Sequence, residues 1–573
     1  MSTTVKKARL ALERGDFDAA VQASELVLRS QPRDIDALTV FARAKLATSQ
    51  PTEAAAALAE IIKSDPEMTW AFVALGEIYL QSGRTQQAEA LLRRALLQQP
   101  EQPTAHAKMG VILSENNELS GGEFHLRRAL ALGEEIPDEE MPDKDKAHVF
   151  ADLALNLTQQ GRSEEAHALY AEANERLPND VRIAAYWAKL FELDGNLEQA
   201  HALLNDIERS SASEVDLLRA SLDARRGQTD RALETLETAG AIGGDALLER
   251  GRIYDRRKEY DRAWADFESA NTWFRQQALE IRYDPEAVEA FFSRLSRFFT
   301  APVIERLPVA AVRESTPQPI FIVGSPRSGT TLLERVLARH SAVVAGGELP
   351  FIADLREFSE RLLPGGKFPD NLRLTNLGSQ RHVASLFRDY YFAKAEERGL
   401  LQAADGYFTD KMPFNECYLP VIRMAFPEAA IVHLVRHPLD IVVSMFANKL
   451  NHGFYCAYSV ADIVHHLLAV HKLHEHYRGQ LATGETVVRY ESLVSEPEAE
   501  TRRLLAAVGL PFEQACLAPQ DSGNYSPTPS YAAVGVAINT KAVNRFVNYS
   551  DKLEHYRDQL GPLLEAGGYD ARP

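Results

Sequence analysis

The feature that most constrains the fold is a spacing of 34 residues that returns through the first half of the chain. Pro32, Pro66 and Pro100 keep it, as do Ala20, Ala54 and Ala88, which Gly122 continues. Gly15 and Gly83 stand two steps apart with Ser49 midway, and Asn117 falls on the next step. After an insertion near 134–145 the frame resumes with Gly161, Ala166 and Pro178, then Gly195 and Ala200. Gly227 with Ala232, and Lys258 with Ala263, follow at slightly shorter steps. A fixed period of this length marks one supersecondary unit repeated in tandem. Each unit reads helix, turn, helix, turn. The glycine position ends the first helix, where a left-handed residue is wanted. The small alanine lets the second helix approach the first, and the proline stops the second helix. Between these marks apolar residues recur at helical spacing, as in Ala88, Leu91, Leu92 and Leu96. No unit buries its apolar surface alone, so neighbours stack into a superhelix.

On these marks residues 1–270 resemble a tetratricopeptide repeat array of about eight units. Such arrays receive peptide or protein segments on a concave surface. A spacer or a self-association module, and with it a homodimer, is the alternative. The first 300 residues carry 36 Lys+Arg against 51 Asp+Glu, and residues 301–573 carry 27 against 30. An acidic first half repels a phosphate backbone, which excludes nucleic acid as its partner. Residues 271–318 read as bridging helices and linker. Val288, Phe291, Phe292, Leu295, Phe298 and Phe299 have helical spacing there, and Pro317 and Pro319 mark a boundary. On this division a chain lacking residues 1–270 is expected to keep whatever site the second half carries.

Apolar residues make up 45% of the chain, enough for real cores and against intrinsic disorder. No run reaches membrane-spanning length. The segment MSTTVKKARLALERGDFDAA lacks an apolar h-region, so no secretory signal is expected. Cys417, Cys456 and Cys516 are far apart and form no disulfide framework, which suits a reducing cytoplasm.

The second half opens with IFIVGSPRSGTTLLERVLAR, residues 320–339. A buried strand, a Gly/Ser loop and a helix in this order offer free backbone N–H groups to an anion. Ser325, Ser328, Gly329, Thr330 and Thr331 supply backbone and hydroxyl donors, and Arg327 supplies the cation. Gly324 and Gly329 have the spacing of an NTP-binding loop, GxxxxGK[ST], but Thr330 stands where its lysine belongs. A second strand, Ile431–Val435, ends in Arg436, and Ser444 follows on a helix. The expected architecture is multidomain: an all-α superhelix, then an α/β, P-loop-like domain at 319–573 with a central parallel sheet.

The PRSGTT loop resembles the 5′-phosphosulfate loop of the sulfotransferase family, and the chain is similar to tyrosylprotein sulfotransferases in particular. The resemblance implies 3′-phosphoadenosine 5′-phosphosulfate (PAPS) as donor, its 3′-phosphate held by Arg436 and Ser444, with no metal. It implies that Glu348, in AGGELPF, is the catalytic base. It implies that Lys411 lies on the bridging oxygen of the leaving group, and that Tyr490 lies near the adenine. Ser530 and Arg545 resemble the serine and basic residue that close over the donor, with Thr540 and Lys541 as further 3′-phosphate candidates. Asn448 stands where tyrosylprotein sulfotransferases carry a second arginine, with Lys449 beside it as the candidate replacement.

These residues suit the chemistry. An attacking hydroxyl must lose a proton to a nearby base, and the leaving phosphate needs positive charge in line. Ion pairs with neighbours, Lys411 with Asp410 and Arg436 with Asp440, are the rival readings. The acceptor implied first is protein tyrosine, recruited by the repeats. A carbohydrate or small-molecule hydroxyl is the alternative, and a non-catalytic repeat scaffold with a degenerate nucleotide fold is a third reading. The setting implied is cytoplasmic and bacterial. His465, His466, His471, His474 and His476 are read as a polar helix surface, because no cysteine or carboxylate cluster accompanies them. Phe454, Tyr455 and Tyr458 either line the acceptor cleft or pack in the core.

Overall fold

The computed structural model describes residues 3–116, 118–135, 141–205, 213–238, 243–277, 282–312, 317–363, 366–376, 382–401, 406–450, 454–481, 484–518 and 538–570. Among them, sixteen helices pair in sequence, from Thr3–Glu13 with Phe17–Ser30 to Gly244–Arg256 with Tyr260–Gln277. The period has a backbone cause. Gly15, Gly83, Gly161, Gly195 and Gly227 all lie in the left-handed region, with φ between 74° and 80°. Ser49 and Lys258 take the same conformation without glycine, at φ 56° and 64°. A methyl group on Gly15, Gly83, Gly161 or Gly227 would meet nothing within 4 Å. These glycines therefore serve the turn and not the packing. The alanines do the reverse: Ala20, Ala54, Ala88, Ala166, Ala200, Ala232 and Ala263 are fully buried between helices. Asn117 lies outside the described residues.

The chain forms two compact units, residues 1–190 and 191–573. The first contains five helix pairs and most of the helix Val181–Leu193. The second contains the remaining repeat helices and a five-stranded sheet. Its strands are β1 (Gln318–Val323), β2 (Val343–Val344), β3 (Tyr407–Asp410), β4 (Ile431–Val435) and β5 (Thr486–Arg489), in the order β2-β3-β1-β4-β5. Every pairing is parallel, with Phe321 opposite Asp410, Val323 opposite His433, and Val435 opposite Arg489.

Both faces of β1 are covered, which is why Ile320–Val323 reads as one apolar run. Phe321 and Val323 pack with Phe387, Tyr391, Phe408 and Leu295 on one side. Ile320 and Ile322 pack with Leu333, Val432, Leu434 and Val488 on the other. From β1 the chain runs out to edge strand β2, returns through β3, and then crosses β1 to reach β4. That reversal creates a crevice at the carboxyl ends of the strands, the usual ligand position in such sheets.

The last repeat helices are built into this second unit. Ala263, Trp264, Phe267 and Phe274 share a core with Phe446, Ile463, Phe546 and Tyr549. Asn271 is buried and donates from Nδ2 to the carbonyl of Phe446 at 2.8 Å. No helix of the described residues is long and apolar enough to cross a membrane.

Candidate active site

The loop after β1 is shaped by close approach. Gly324 has φ 146°, and a methyl group there would meet the Leu434 carbonyl oxygen at 2.5 Å. Gly329 has φ 110°, and a methyl group would meet the Tyr490 ring at 2.5 Å. Between them the Ser328 N–H donates to the Ser325 carbonyl at 3.1 Å. The Gly329 carbonyl starts the helix Thr330–Ala338 by accepting from the N–H groups of Leu332 and Leu333 at 2.9 and 3.1 Å. Thr330 is buried and Thr331 half-buried on its first turn. The Ser328 hydroxyl oxygen is buried in the loop without a hydrogen-bond partner. A buried hydroxyl left in this way costs on the order of 1–3 kcal/mol, which a bound anion oxygen relieves.

Arg327 is a non-glycine residue at φ 68°. That conformation aims its carbonyl at Arg436, whose Nη1 donates to it at 2.9 Å. The Arg327 side chain donates from Nε to the Ser444 hydroxyl at 3.1 Å. Arg436 is buried; its Nη2 donates to the Ala542 carbonyl at 2.6 Å, and its guanidinium lies 4.6 Å from the Tyr490 ring centre. Arg436 and Asp440 form only a long ion pair of 3.8 Å. The Asp440 carboxylate instead accepts from the backbone N–H groups of Asn544 and Phe546 at 2.8 and 2.9 Å. The rival reading of Arg436 as a surface ion pair is therefore corrected: both groups are buried, and Asp440 fastens the C-terminal segment over the site.

Thr540 and Lys541 lie exposed in that segment, two residues and one residue before Ala542. Arg545 is directed to Asp255, with Nη2 at 3.1 Å from its carboxylate. Ser530 lies outside the described residues. Burial pulls the Arg327 pKa down to about 10, aided by the charges of Arg436, Arg252 and Arg545. Arg327 and Arg436 thus bring two guanidinium-bearing residues together at the loop, an arrangement that favours a polyanion.

The second corner follows β3. The Gly346 N–H donates to the Thr409 hydroxyl at 3.0 Å, and the Gly347 N–H donates to Glu334 Oε1 at 3.0 Å. The Lys411 N–H donates to the Gly347 carbonyl at 2.9 Å. These bonds set Glu348 beside Lys411, with Nζ to Oε1 at 3.0 Å. Lys411 is 2% exposed and also lies 3.8 Å from Glu334, while the Glu348 carboxylate keeps partial access to solvent. The expected rival partner, Asp410, points elsewhere. It accepts from the Tyr391 hydroxyl and from Asn415 Nδ2 at 2.8 and 2.9 Å, and burial pushes its pKa up to about 7.

The loop follows β1, Lys411 follows β3, Arg436 follows β4 and Tyr490 follows β5, so one sheet edge carries all four. Glu334 and Arg252 escaped the sequence reading. Glu334 sits on an ordinary helix face, and the repeat spacing gives Arg252 no distinguishing mark.

The histidine reading is corrected in part. His466 and His474 are buried, not solvent-facing. Burial pulls His466 down to about 4. His474 Nε2 lies 3.2 Å from Glu485, and the His433 ring is 4.3 Å away between centroids. The Glu485 carboxylate, beyond the end of the helix, thus does join these rings, which helical spacing alone could not show. Phe454 is a core residue stacked on Phe414 at 4.3 Å, and Tyr455 and Tyr458 are half-buried.

Residues 319–514 match the model of the sulfotransferase family, and residues 5–69 and 45–112 match tetratricopeptide repeat models. The chain is 28% identical over 420 residues to an uncharacterized protein of Aquifex aeolicus, covering 71% of this chain and 53% of that protein. It is 27% identical over 262 residues to protein-tyrosine sulfotransferase 1 of Danio rerio, covering 44% and 72% respectively. It is 28% identical over 230 residues to nodulation protein NoeE of Sinorhizobium fredii, covering 34% and 52%. It therefore spans about half the length of the first and third of these. The matched segment begins at β1 and contains the phosphate loop, Glu348, Lys411, Arg436, Ser444 and Tyr490. The chain thus joins tetratricopeptide repeats to a C-terminal domain of the sulfotransferase family.

Proposed function

We propose that the chain transfers a sulfuryl group from PAPS to an acceptor hydroxyl in the cytoplasm of a bacterium, with protein tyrosine as the first acceptor and the repeats recruiting it. One observation carries the reading: an anion loop with converging guanidiniums shares a sheet edge with a carboxylate 3.0 Å from a buried lysine. Ser328, with its unpartnered buried hydroxyl, fits a phosphosulfate oxygen. Glu348 takes the proton of the acceptor hydroxyl as its oxygen bonds to sulfur. The bond from sulfur to the bridging oxygen breaks, and its electron pair stays on the 5′-phosphate. Lys411 and Arg327 meet that charge. Arg436 and Ser444 hold the 3′-phosphate, with Thr540, Lys541 and Arg545 nearby, Ser530 closing over the donor and Tyr490 beside the adenine. The products are the sulfated acceptor and 3′-phosphoadenosine 5′-phosphate (PAP). No step requires a metal.

Likeness to a protein-tyrosine sulfotransferase supports tyrosine. The likeness to nodulation protein NoeE, whose name specifies no tyrosine acceptor, keeps a carbohydrate or small-molecule hydroxyl as the second class. Incubation with PAPS labelled in its sulfuryl group tests the two. Label in a tyrosine peptide, lost when phenylalanine replaces tyrosine, supports the first class. Label only in an oligosaccharide or a small alcohol supports the second, and label in neither contradicts transfer. The acidic repeats lead us to expect peptides with basic flanks to be preferred.

Arg436→Ala is expected to weaken PAP binding by about 10–100-fold, since charge-assisted phosphate bonds contribute roughly 1.5–3 kcal/mol. Titration calorimetry checks this, and unchanged affinity would place the 3′-phosphate elsewhere.

A further inference from the structure

The nucleotide wall contains a cation that comes from a repeat helix. Arg252 lies on Gly244–Arg256, the first helix of the last pair. Its Nη1 donates to Asn448 Oδ1 at 3.3 Å. Asn448 in turn donates from Nδ2 to the Ser444 carbonyl at 2.8 Å, and the Ser444 hydroxyl accepts from Arg327 at 3.1 Å. A chain of polar contacts thus runs from the repeat helix to the phosphate loop.

The same helix turn holds a second site residue. Asp255 binds Arg545 at 3.1 Å and accepts from the Tyr549 hydroxyl. Lys449, the cation next in sequence to Asn448, faces away. Its Nζ lies 3.0 Å from Asp245 and 5.0 Å from the Phe274 ring centre. Arg252 is fixed along one edge by Glu249, with Nε to Oε2 at 3.0 Å. That carboxylate also serves Arg256 at 3.3 Å. Arg252 turns its other edge, through Nη1, to Asn448, which is itself bonded to Ser444.

We propose that Arg252 is a donor-binding residue, contributed by the repeat array, that completes the 3′-phosphate subsite beside Ser444 and Arg436. The proposal rests on the sulfotransferase reading and deepens it. It makes the last repeat part of the enzyme's nucleotide site, with Asn448 as the side chain that steers Arg252 there. Recognition of the 3′-phosphate then needs both sequence regions.

Titration of the full chain with PAP and with ADP, which has no 3′-phosphate, tests this. Arg252→Gln is expected to weaken PAP by about tenfold and ADP by less than about twofold, the size of one charge-assisted hydrogen bond. Arg252→Lys keeps the charge but not the fork of donors, and should fall between. Arg256→Gln, on the same helix and the same carboxylate, should bind PAP as the unaltered chain does. PAP affinity unchanged in Arg252→Gln would overturn the proposal, as would an equal loss for PAP and ADP. Failure of the unaltered chain to bind PAP would instead overturn the parent reading, and this one with it.

Discussion

Glu348→Gln is expected to lower turnover by about 10²–10⁴-fold while PAP affinity stays within about twofold. The amide keeps the shape and can still accept from Lys411, but it cannot take a proton at neutral pH. The contrast between turnover and binding is what identifies a base. A residue that merely supported the loop would lose both together. Measuring kcat with saturating PAPS, alongside PAP titration of the variant, separates the two. Turnover equal to that of the unaltered chain would remove Glu348 from the reaction. Glu348 is held beside Lys411 by the bond from the Lys411 N–H to the Gly347 carbonyl, the bond from the Gly347 N–H to Glu334, and one ion pair.

The second large effect concerns where the chain can be cut. A chain starting at residue 271 is expected to lose its folded state and with it all donor binding. The cut removes Trp264 and Phe267, which pack with Phe446, Ile463 and Tyr549. Truncating one such aromatic costs about 3–5 kcal/mol, so losing several exceeds the stability of a typical domain, about 5–15 kcal/mol. A chain starting at residue 179 keeps every one of these contacts and should melt cooperatively and bind PAP. Circular dichroism melting of the two fragments checks this. A stable, PAP-binding fragment from residue 271 would show that the shared core is dispensable. Repeat spacing predicts that such a fragment keeps its site; the shared core leads us to expect the opposite.

Much of this was legible in the residues, for physical reasons. The helix turns need a left-handed residue at fixed intervals, so glycines report the period, and Ser49 and Lys258 could be placed by register alone. The phosphate loop was legible because close backbone approach demands Gly324 and Gly329. The strand order was not legible, since pairings between distant segments leave no local mark. Arg252 was invisible for the same reason: it meets Asn448 across 196 positions, on a helix whose pattern needs nothing special there. The histidines misled because helical spacing tells which residues share a face, not whether β4 or Glu485 covers it. Asp410 adjoins Lys411 in sequence, yet the strand sends their side chains to opposite sides, so adjacency suggested a pair that does not form.

The central claim is that this sheet edge is a site for a nucleotide with phosphates at both its 3′ and 5′ positions. Calorimetric titration of the purified chain with PAP, beside ATP, tests it most directly. The account predicts micromolar PAP binding and much weaker ATP binding, because Thr330 replaces the lysine that a triphosphate loop needs and Arg436 with Ser444 waits for the 3′-phosphate. No PAP binding, or a preference for ATP, would contradict it.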